Sequence, residues 1–303
     1  MKKAISLGAA AAALSLILVG CSDPGTSDTG PASGPPDGEV ADLFDPMSIE
    51  EVSDIAAMVP ESIRETGKLR NGASTDYAPA EFRIDGKPVG YDIEIVQALG
   101  RVMGLEGTTE HAVFETIIPA IGTKFDIGAS SFTISPERLE QVNMVSYLQV
   151  GSAFAVQEGN PNGFDPADPC GASIGVQTGT YQQTLANEWS AACVAEGKEA
   201  IAVNPLDLQT DVTLKVAGGL WDATFADSPV IDYAVANSKG QIEPIGDVIE
   251  SELQGIAIAK DDQQLTVAVQ AAMQHLMDKG YLKEILGNYG AEGAALLQAK
   301  INP

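Results

Sequence analysis

From Gly67 onward, the spacing of apolar residues alternates between a strand-like and a helix-like pattern. Residues 92–103 carry apolar side chains at helical spacing, and Gly104 ends the pattern. Further helices are predicted at 115–121, after Thr180, and around 265–279, whereas short apolar runs typical of buried strands occur at 126–130, 174–177 and 223–226. Strands that alternate with helices predict an α/β fold with largely parallel sheets, whose ligands bind beyond the carboxyl ends of the strands.

The N-terminus has the pattern of a targeting segment. Two lysines precede an apolar run over residues 4–20, which is too short and too rich in Ala and Gly for a stable transmembrane helix. We therefore predict a secretory signal peptide at 1–20. The run ends on Leu-Val-Gly-Cys, which resembles a bacterial lipobox and predicts a lipid on Cys21. The alternative is an ordinary signal peptide with an incidental cysteine.

Residues 21–45 are rich in Ser, Thr, Gly, Pro and Asp, which predicts a lipid-anchored flexible tether. We expect a helical lead-in over 46–67. The anchor would hold the protein on the extracellular face of the cell membrane. The remaining length of the chain is sufficient for two compact lobes.

The formal net charge of −25 disfavours binding to nucleic acid or to anionic lipid headgroups. A negative charge of this size is ordinarily explained by solubility outside the cell. The more specific alternative is that it attracts cationic ligands. Two histidines without a neighbouring cysteine or carboxylate cluster argue against a zinc site, and we expect no metal and no cofactor.

Three cysteines divide between two roles. With Cys21 assigned to the lipid, Cys170 and Cys193 remain in a compartment that permits disulfides, and we predict that they pair. The alternative is two free buried thiols. Closing a loop of this length adds roughly 3 kcal/mol in the chain-entropy estimate.

Three turns between strands and helices carry candidate binding chemistry. In the first, Ser135 caps a helix that begins at Pro136, so that Arg138 lies in its first turn. A cation there opposes the helix dipole, and its guanidinium could hold a carboxylate. The alternative is a surface arginine paired with a neighbouring acid.

The second turn, residues 177–180, contains a glycine before a helix start whose free amides suit an anion. In the third turn, Pro229 favours Ser228 as the cap and leaves Asp227 one residue outside the helix, free to meet an ammonium group. Each turn alone is equally typical of a plain connection or a solvated loop. Together they match the head group of an α-amino acid.

Four stretches then carry a resemblance to a known family over about residues 69–290. They are LRNGASTDYAPAEFRIDGKPVGYDIEIVQALG, FETIIPAIGTKFDIGASSFTISPERLEQV, IGVQTGTYQQT and WDATFADSPVIDYAV. In this order, behind a lipobox, they resemble the family 3 solute-binding proteins of polar-amino-acid importers, and the surroundings of the two later cysteines resemble actinobacterial members.

The resemblance implies a two-lobed, periplasmic-binding-protein-like (type II) clamp, in which each lobe is a mainly parallel sheet flanked by helices. Lobe 1 is expected to be discontinuous, at 68–154 and 253–303, and lobe 2 to occupy 155–252. The ligand would lie between the lobes, which close over it.

By matching motif positions, Arg138 should hold the ligand carboxylate and Asp227 the ammonium. The other residues implied to bind the ligand are Ser74, Tyr77, Phe114, Ser130, Ser131, Phe132, Thr133, Thr178 and Thr180. Two positions depart from the pattern: lysine- and arginine-selective members carry Asp where this chain has Ser74, and many members have Phe or Asn where it has Ala80. These departures weaken the assignment of a basic side chain and leave side-chain specificity open.

The expected function is the capture of an amino acid, or a close derivative, and its delivery to the permease and ATPase subunits of an ABC importer, by a monomer with no catalytic residues. One alternative is an enzyme of the same fold, similar to the periplasmic dehydratases, with Glu115 as the nearest candidate acid. Another is a lipoprotein that presents its ligand to a signalling partner.

Overall fold

The structure is a computed structural model that describes residues 43–303. The predicted signal peptide, Cys21 and nearly all of the predicted tether lie outside the described residues. The strands are β1 (Lys68–Ala73), β2 (Phe82–Ile84), β3 (Lys87–Val89), β4 (Glu106–His111), β5 (Ile127–Gly128), β6 (Val142–Gln157), β7 (Ser173–Gln177), β8 (Ala202–Leu206), β9 (Ala223–Asp227) and β10 (Ile242–Ala259). The helices are α1 (Ser53–Ala56), α2 (Glu61–Thr66), α3 (Tyr91–Val102), α4 (Phe114–Ala120), α5 (Pro136–Gln141), α6 (Tyr181–Ala195), α7 (Gln209–Ala217), α8 (Ser228–Asn237), α9 (Gln263–Asp278) and α10 (Tyr281–Gly287).

Two long antiparallel strands, β6 and β10, connect two groups of parallel strands. The strand order is β4-β1-β5-β10-β6-β9-β7-β8, in which β1 runs parallel to β4 and β5, and β7 runs parallel to β8 and β9. The long strands pair antiparallel with each other, and the parallel groups join them through β5 and β9. This topology, with helices on the sheet, confirms the α/β fold class predicted from the sequence.

The strand predicted at 126–130 is shorter than its apolar run because a side chain replaces part of the ladder. The Asn71 carboxamide accepts a hydrogen bond from the Ala129 amide at 2.7 Å and donates to the Ala129 carbonyl at 3.2 Å. The backbone is thus satisfied without a partner strand, and it turns away from the sheet toward Ser130.

Helix α3 confirms the pattern read from residues 92–103. Its apolar side chains Ile95, Leu99 and Val102 are completely buried, and Gly104 follows the helix with a φ of +69°. This main core also includes α9 and α10, so that helices near the end of the chain pack with α3.

A second core surrounds the aromatic side chains of Phe154, Trp189 and Phe225, whose rings contact one another. The disulfide between Cys170 and Cys193 borders this core, which confirms the predicted pairing. The bridge ties the loop before β7 to the second half of α6.

The lead-in at 46–67 contains α1 and α2, and it contributes the buried side chains of Ile49, Val59 and Ile63 to the main core. No described helix is long and apolar enough to cross a membrane. The division into lobes at the residue boundaries given above stays a prediction.

Candidate ligand-binding site

Arg138 lies in the first turn of α5, where the sequence predicted it. Ser135 caps this helix with its hydroxyl, which accepts the Arg138 amide at 3.4 Å. The guanidinium turns back and donates from Nη1 to the Thr133 carbonyl at 2.8 Å and from Nη2 to the Gly179 carbonyl at 3.1 Å. Two of its five N–H groups are thus used, and three remain for a ligand.

Aromatic rings cover one side of this arginine. The Arg138 Cζ atom lies 5.5 Å from the Phe114 ring centroid and 5.2 Å from that of Phe132, within the range of cation–π attraction. The two rings stack with centroids 4.6 Å apart. Burial lowers the pKa of Arg138 to about 10, so the side chain is still cationic at neutral pH.

The start of α6 faces the same place. Thr180 caps the helix: its hydroxyl oxygen accepts the Gln183 amide at 3.2 Å, and its own amide makes a long turn bond of 3.4 Å to the Gln177 carbonyl. The Tyr181 and Gln182 amides donate to no group among residues 43–303. These N–H groups and Arg138 together form an electropositive position that suits a carboxylate.

Asp227 provides the opposite charge at the end of β9. Its carboxylate is buried, with Oδ1 accepting from Gln182 Nε2 and Oδ2 accepting from Gln254 Nε2, each at 2.7 Å. Both donors are neutral, and burial raises the pKa of Asp227 to about 6. A bound ammonium group would supply the missing positive charge.

The predicted cap of α8 is wrong by one residue. The helix begins at Ser228, and Asp227 is the extended residue before it, with no side-chain cap bond. Its carboxylate is turned instead to the two glutamine amides. Its backbone amide donates to the Tyr77 hydroxyl at 3.0 Å, which fixes this tyrosine beside the acid.

A narrow cavity with about 10 Å³ of free volume lies between these groups. Its lining contains seven of the predicted residues, and also three that the sequence reasoning missed: Gln177, Tyr181 and Gln182. The seven are Tyr77, Phe114, Ser131, Thr133, Arg138, Thr180 and Asp227.

Four predicted residues do not line this cavity. Phe132 borders a wider depression outside it, of about 430 Å³. Thr178 is half-buried, and its amide donates to the Leu206 carbonyl. Ser74 and Ser130 are completely buried behind the lining, and the Ser74 amide donates to Ser130 Oγ at 3.0 Å. These two serines therefore support the lining from behind.

Two buried carboxyl groups also hold the lining in place, and the sequence analysis missed both. Ser130 Oγ donates to Glu81 at 2.6 Å, and Asp92 accepts from the Ser131 amide and the Tyr147 hydroxyl, each at 2.7 Å. Burial raises the pKa of both acids, to about 6 for Asp92 and well above the ordinary value for Glu81. Their hydrogen bonds fix Ser131 in the left-handed region, at a φ of +52°.

Further contacts connect the two groups of parallel strands across the cavity. The Asp76 carboxylate, in the loop after β1, accepts the Thr210 amide at 3.0 Å and the Thr210 hydroxyl at 2.7 Å. Thr210 lies in the first turn of α7, where a carboxylate is favoured by the helix dipole. Together with the bond from Arg138 to Gly179, this contact joins the two groups of strands near the cavity.

Comparison with known proteins decides the family. The model of the bacterial extracellular solute-binding proteins, family 3, matches residues 69–292. This chain belongs to that family. It is 35% identical to the arginine-binding protein ArgT of Corynebacterium glutamicum, over 99% of this chain and 96% of that protein.

Solved structures show the same fold. A mutant of ArgBP from T. maritima matches with a TM-score of 0.68 and 27% identity, over 76% of this chain and 97% of that one. The ancestral amino acid-binding protein AncCDT-1, a precursor of cyclohexadienyl dehydratase, matches with a TM-score of 0.66 and 25% identity, over 76% of this chain and 98% of that one. The chain is therefore a two-lobed solute-binding protein.

Proposed function

We propose that this protein binds the zwitterionic head group of an L-amino acid between Arg138, the start of α6, and Asp227. The observation that carries the proposal is the pair of opposite, incompletely matched charges on two sides of one small cavity. Arg138 has three N–H groups free for a carboxylate, and the Asp227 carboxylate accepts only from neutral amides. A zwitterion satisfies both groups at once.

Ligand binding is coupled to closure in this proposal. The cavity takes its lining from elements of both strand groups, with Tyr77 and Arg138 on one side and Tyr181 and Asp227 on the other. A ligand that contacts both sides stabilises the closed arrangement, because its two charges are paired only there. The proposal assigns the first pair to lobe 1 and the second pair to lobe 2, with the boundaries predicted from the sequence.

The role we infer is capture of the amino acid outside the cell and its delivery to the permease and ATPase subunits of an ABC importer. Family membership supports the extracellular binding role. The lipid on Cys21, the signal peptide and the monomeric state are part of the proposal, and mass spectrometry of the membrane fraction tests the lipid.

Arginine is the first ligand to test, since the Corynebacterium relative is an arginine-binding protein that matches over almost the whole chain. The decisive experiment is isothermal titration calorimetry of the fragment that begins near residue 43, after removal of any co-purified ligand. We expect micromolar or tighter binding of at least one L-amino acid. Absence of binding for every standard amino acid, citrulline and ornithine would refute the proposal.

Asp227→Asn separates the head-group assignment from general binding. Replacing the carboxylate should weaken an amino acid far more than the matching carboxylic acid without its amino group, because only the amino acid carries the ammonium. Equal weakening of both ligands would show that Asp227 is not the ammonium partner. Incubation with prephenate or arogenate, followed by product analysis, tests the enzyme alternative, for which Glu115 stands exposed at the outer depression.

A further inference from the structure

The charges of the cavity limit the side chain that a ligand can carry, and this inference rests on the proposed head-group binding. Among the described residues that line the cavity, Arg138 and Asp227 are the charged ones. Once the head group pairs with both, a compact charge on the ligand side chain has no counter-ion within the cavity. Burying such a charge is strongly unfavourable, so recognition of the side chain must depend on neutral groups.

Gln177 provides such a neutral group at the end of β7. The side chain lines the cavity and is 2% exposed. Its Nε2 donates to Ser74 Oγ at 3.1 Å and to the Asp207 carbonyl at 2.9 Å, which uses both of its N–H groups. The Asp207 carbonyl can only accept, and this fixes which end of the carboxamide is the nitrogen. The remaining atom, Oε1, accepts no hydrogen bond from residues 43–303.

Ser74 acts through Gln177. It is completely buried and does not line the cavity, and its backbone amide is held by Ser130 Oγ at 3.0 Å. Its hydroxyl oxygen accepts from Gln177 Nε2 and so orients the carboxamide, and Gln177 Oε1 remains available to the ligand. Because the residue at this position is a neutral serine, this part of the site carries no negative charge.

Aromatic surface completes this part of the cavity. Tyr77 and Phe114 line it together with Gln177, so aromatic rings border the space beside the Gln177 carboxamide. A guanidinium is planar, delocalised and weakly hydrated, whereas an ammonium is compact and strongly hydrated. A guanidinium therefore loses less hydration free energy than an ammonium when it leaves water for an aromatic and carbonyl environment.

We propose that Gln177 is a specificity-determining residue that accepts a hydrogen bond from a planar N–H donor on the ligand side chain. The class of ligand is an L-amino acid with a guanidinium, ureido or primary amide group, represented by arginine, citrulline and glutamine. Lysine and ornithine, with a compact ammonium, and glutamate, with a carboxylate, are disfavoured.

The test compares ligand series in the wild-type protein and in Gln177→Met, which keeps the volume and removes the acceptor. Calorimetry on the wild type should give citrulline within about tenfold of arginine, and lysine at least about 100-fold weaker. Gln177→Met should weaken arginine and citrulline about tenfold or more, the effect of one lost hydrogen bond, while alanine, which carries the head group alone, changes less than about threefold. Gln241→Met, at an exposed glutamine, is the matched control and should change nothing.

Ser74→Ala is a smaller change that tests the same chain of contacts. Loss of its hydroxyl should weaken arginine and citrulline by about threefold, since Gln177 is then held by Asp207 alone. If lysine binds as tightly as arginine, or if the ratio of arginine to alanine affinity is the same in wild type and Gln177→Met, the inference is overturned and head-group binding still stands. If the wild type binds no amino acid, both proposals fail.

Discussion

Replacing Arg138 by alanine is the most direct perturbation of the proposed site. The side chain has three N–H groups available for a ligand carboxylate, and two of them can form a fork of charge-assisted hydrogen bonds. A hydrogen bond to a charged group contributes about 1.5–3 kcal/mol. Two such bonds, less the cost of ordering the ligand, predict a loss of about 3–4 kcal/mol, which corresponds to about a 150- to 1,000-fold weaker affinity.

The fold should tolerate this change. Arg138 is half-buried, and its contacts within the protein are two carbonyls and the faces of two aromatic rings. Arg138→Lys keeps the positive charge and removes the fork, so its affinity should lie between those of the wild type and the alanine variant. The assay is calorimetric titration at pH 7.5, with thermal unfolding without ligand as the test of folding.

Arg64→Ala is the matched control, because this arginine is exposed on α2, away from the cavity. It should leave the dissociation constant unchanged. A folded Arg138→Ala protein with wild-type affinity would refute the assignment of the carboxylate to this arginine. A lysine variant as weak as the alanine variant would show that the geometry of the fork decides binding, and that the charge contributes little.

Three other predictions follow from the ionisable groups and the disulfide. A bound ammonium lowers the raised pKa of Asp227, so the affinity should be constant above about pH 7. Below about pH 6 it should decrease by up to tenfold for each pH unit. Titration calorimetry should find no such dependence in Asp227→Asn. Because the pKa of Glu81 is raised in the folded protein, its ionisation costs stability as the pH rises above the unfolded value, and the melting temperature of Glu81→Gln relative to wild type should increase from pH 5 to pH 8; a constant difference would contradict buried protonation. Replacing both Cys170 and Cys193 by serine should remove roughly 3 kcal/mol of stability, and urea unfolding with an unchanged midpoint would contradict this.

Local signals in the sequence were sufficient for several elements of the site. The Ser135-Pro136 pair locates the start of α5 and with it Arg138, since capping depends on neighbours within one turn. The same reasoning placed the Pro229 helix correctly to within one residue. Side chains of the helix face of α3 are buried as their spacing predicts, because helix periodicity is a property of adjacent turns.

The glutamines of the site have no such local signal. They lie at the end of β7, in α6 and in β10: Gln177, Gln182 and Gln254. A glutamine at any of these positions is compatible with either a solvent-exposed or a buried side chain. Each gains its role from a partner far along the chain: Gln177 from Ser74, and the other two from Asp227. Neutral side chains can support a charged site only after the fold has excluded water from them.

The sequence by itself determined the α/β class and the family, and it predicted the disulfide and two charged residues for the proposed site. The α/β class, the family and the two charged residues depend on periodicity, capping and recurrent motifs within short stretches of the chain, and the disulfide depends on the small number of cysteines. Only the tertiary structure decided which residues line the cavity, since that depends on how β1, β7 and β9 are brought together around β6 and β10. It moved Ser74 from the ligand to a supporting position and brought Gln177 to the lining. Burial, a collective property of the packed chain, then set the pKa of Asp227 and of the carboxyl groups behind the site.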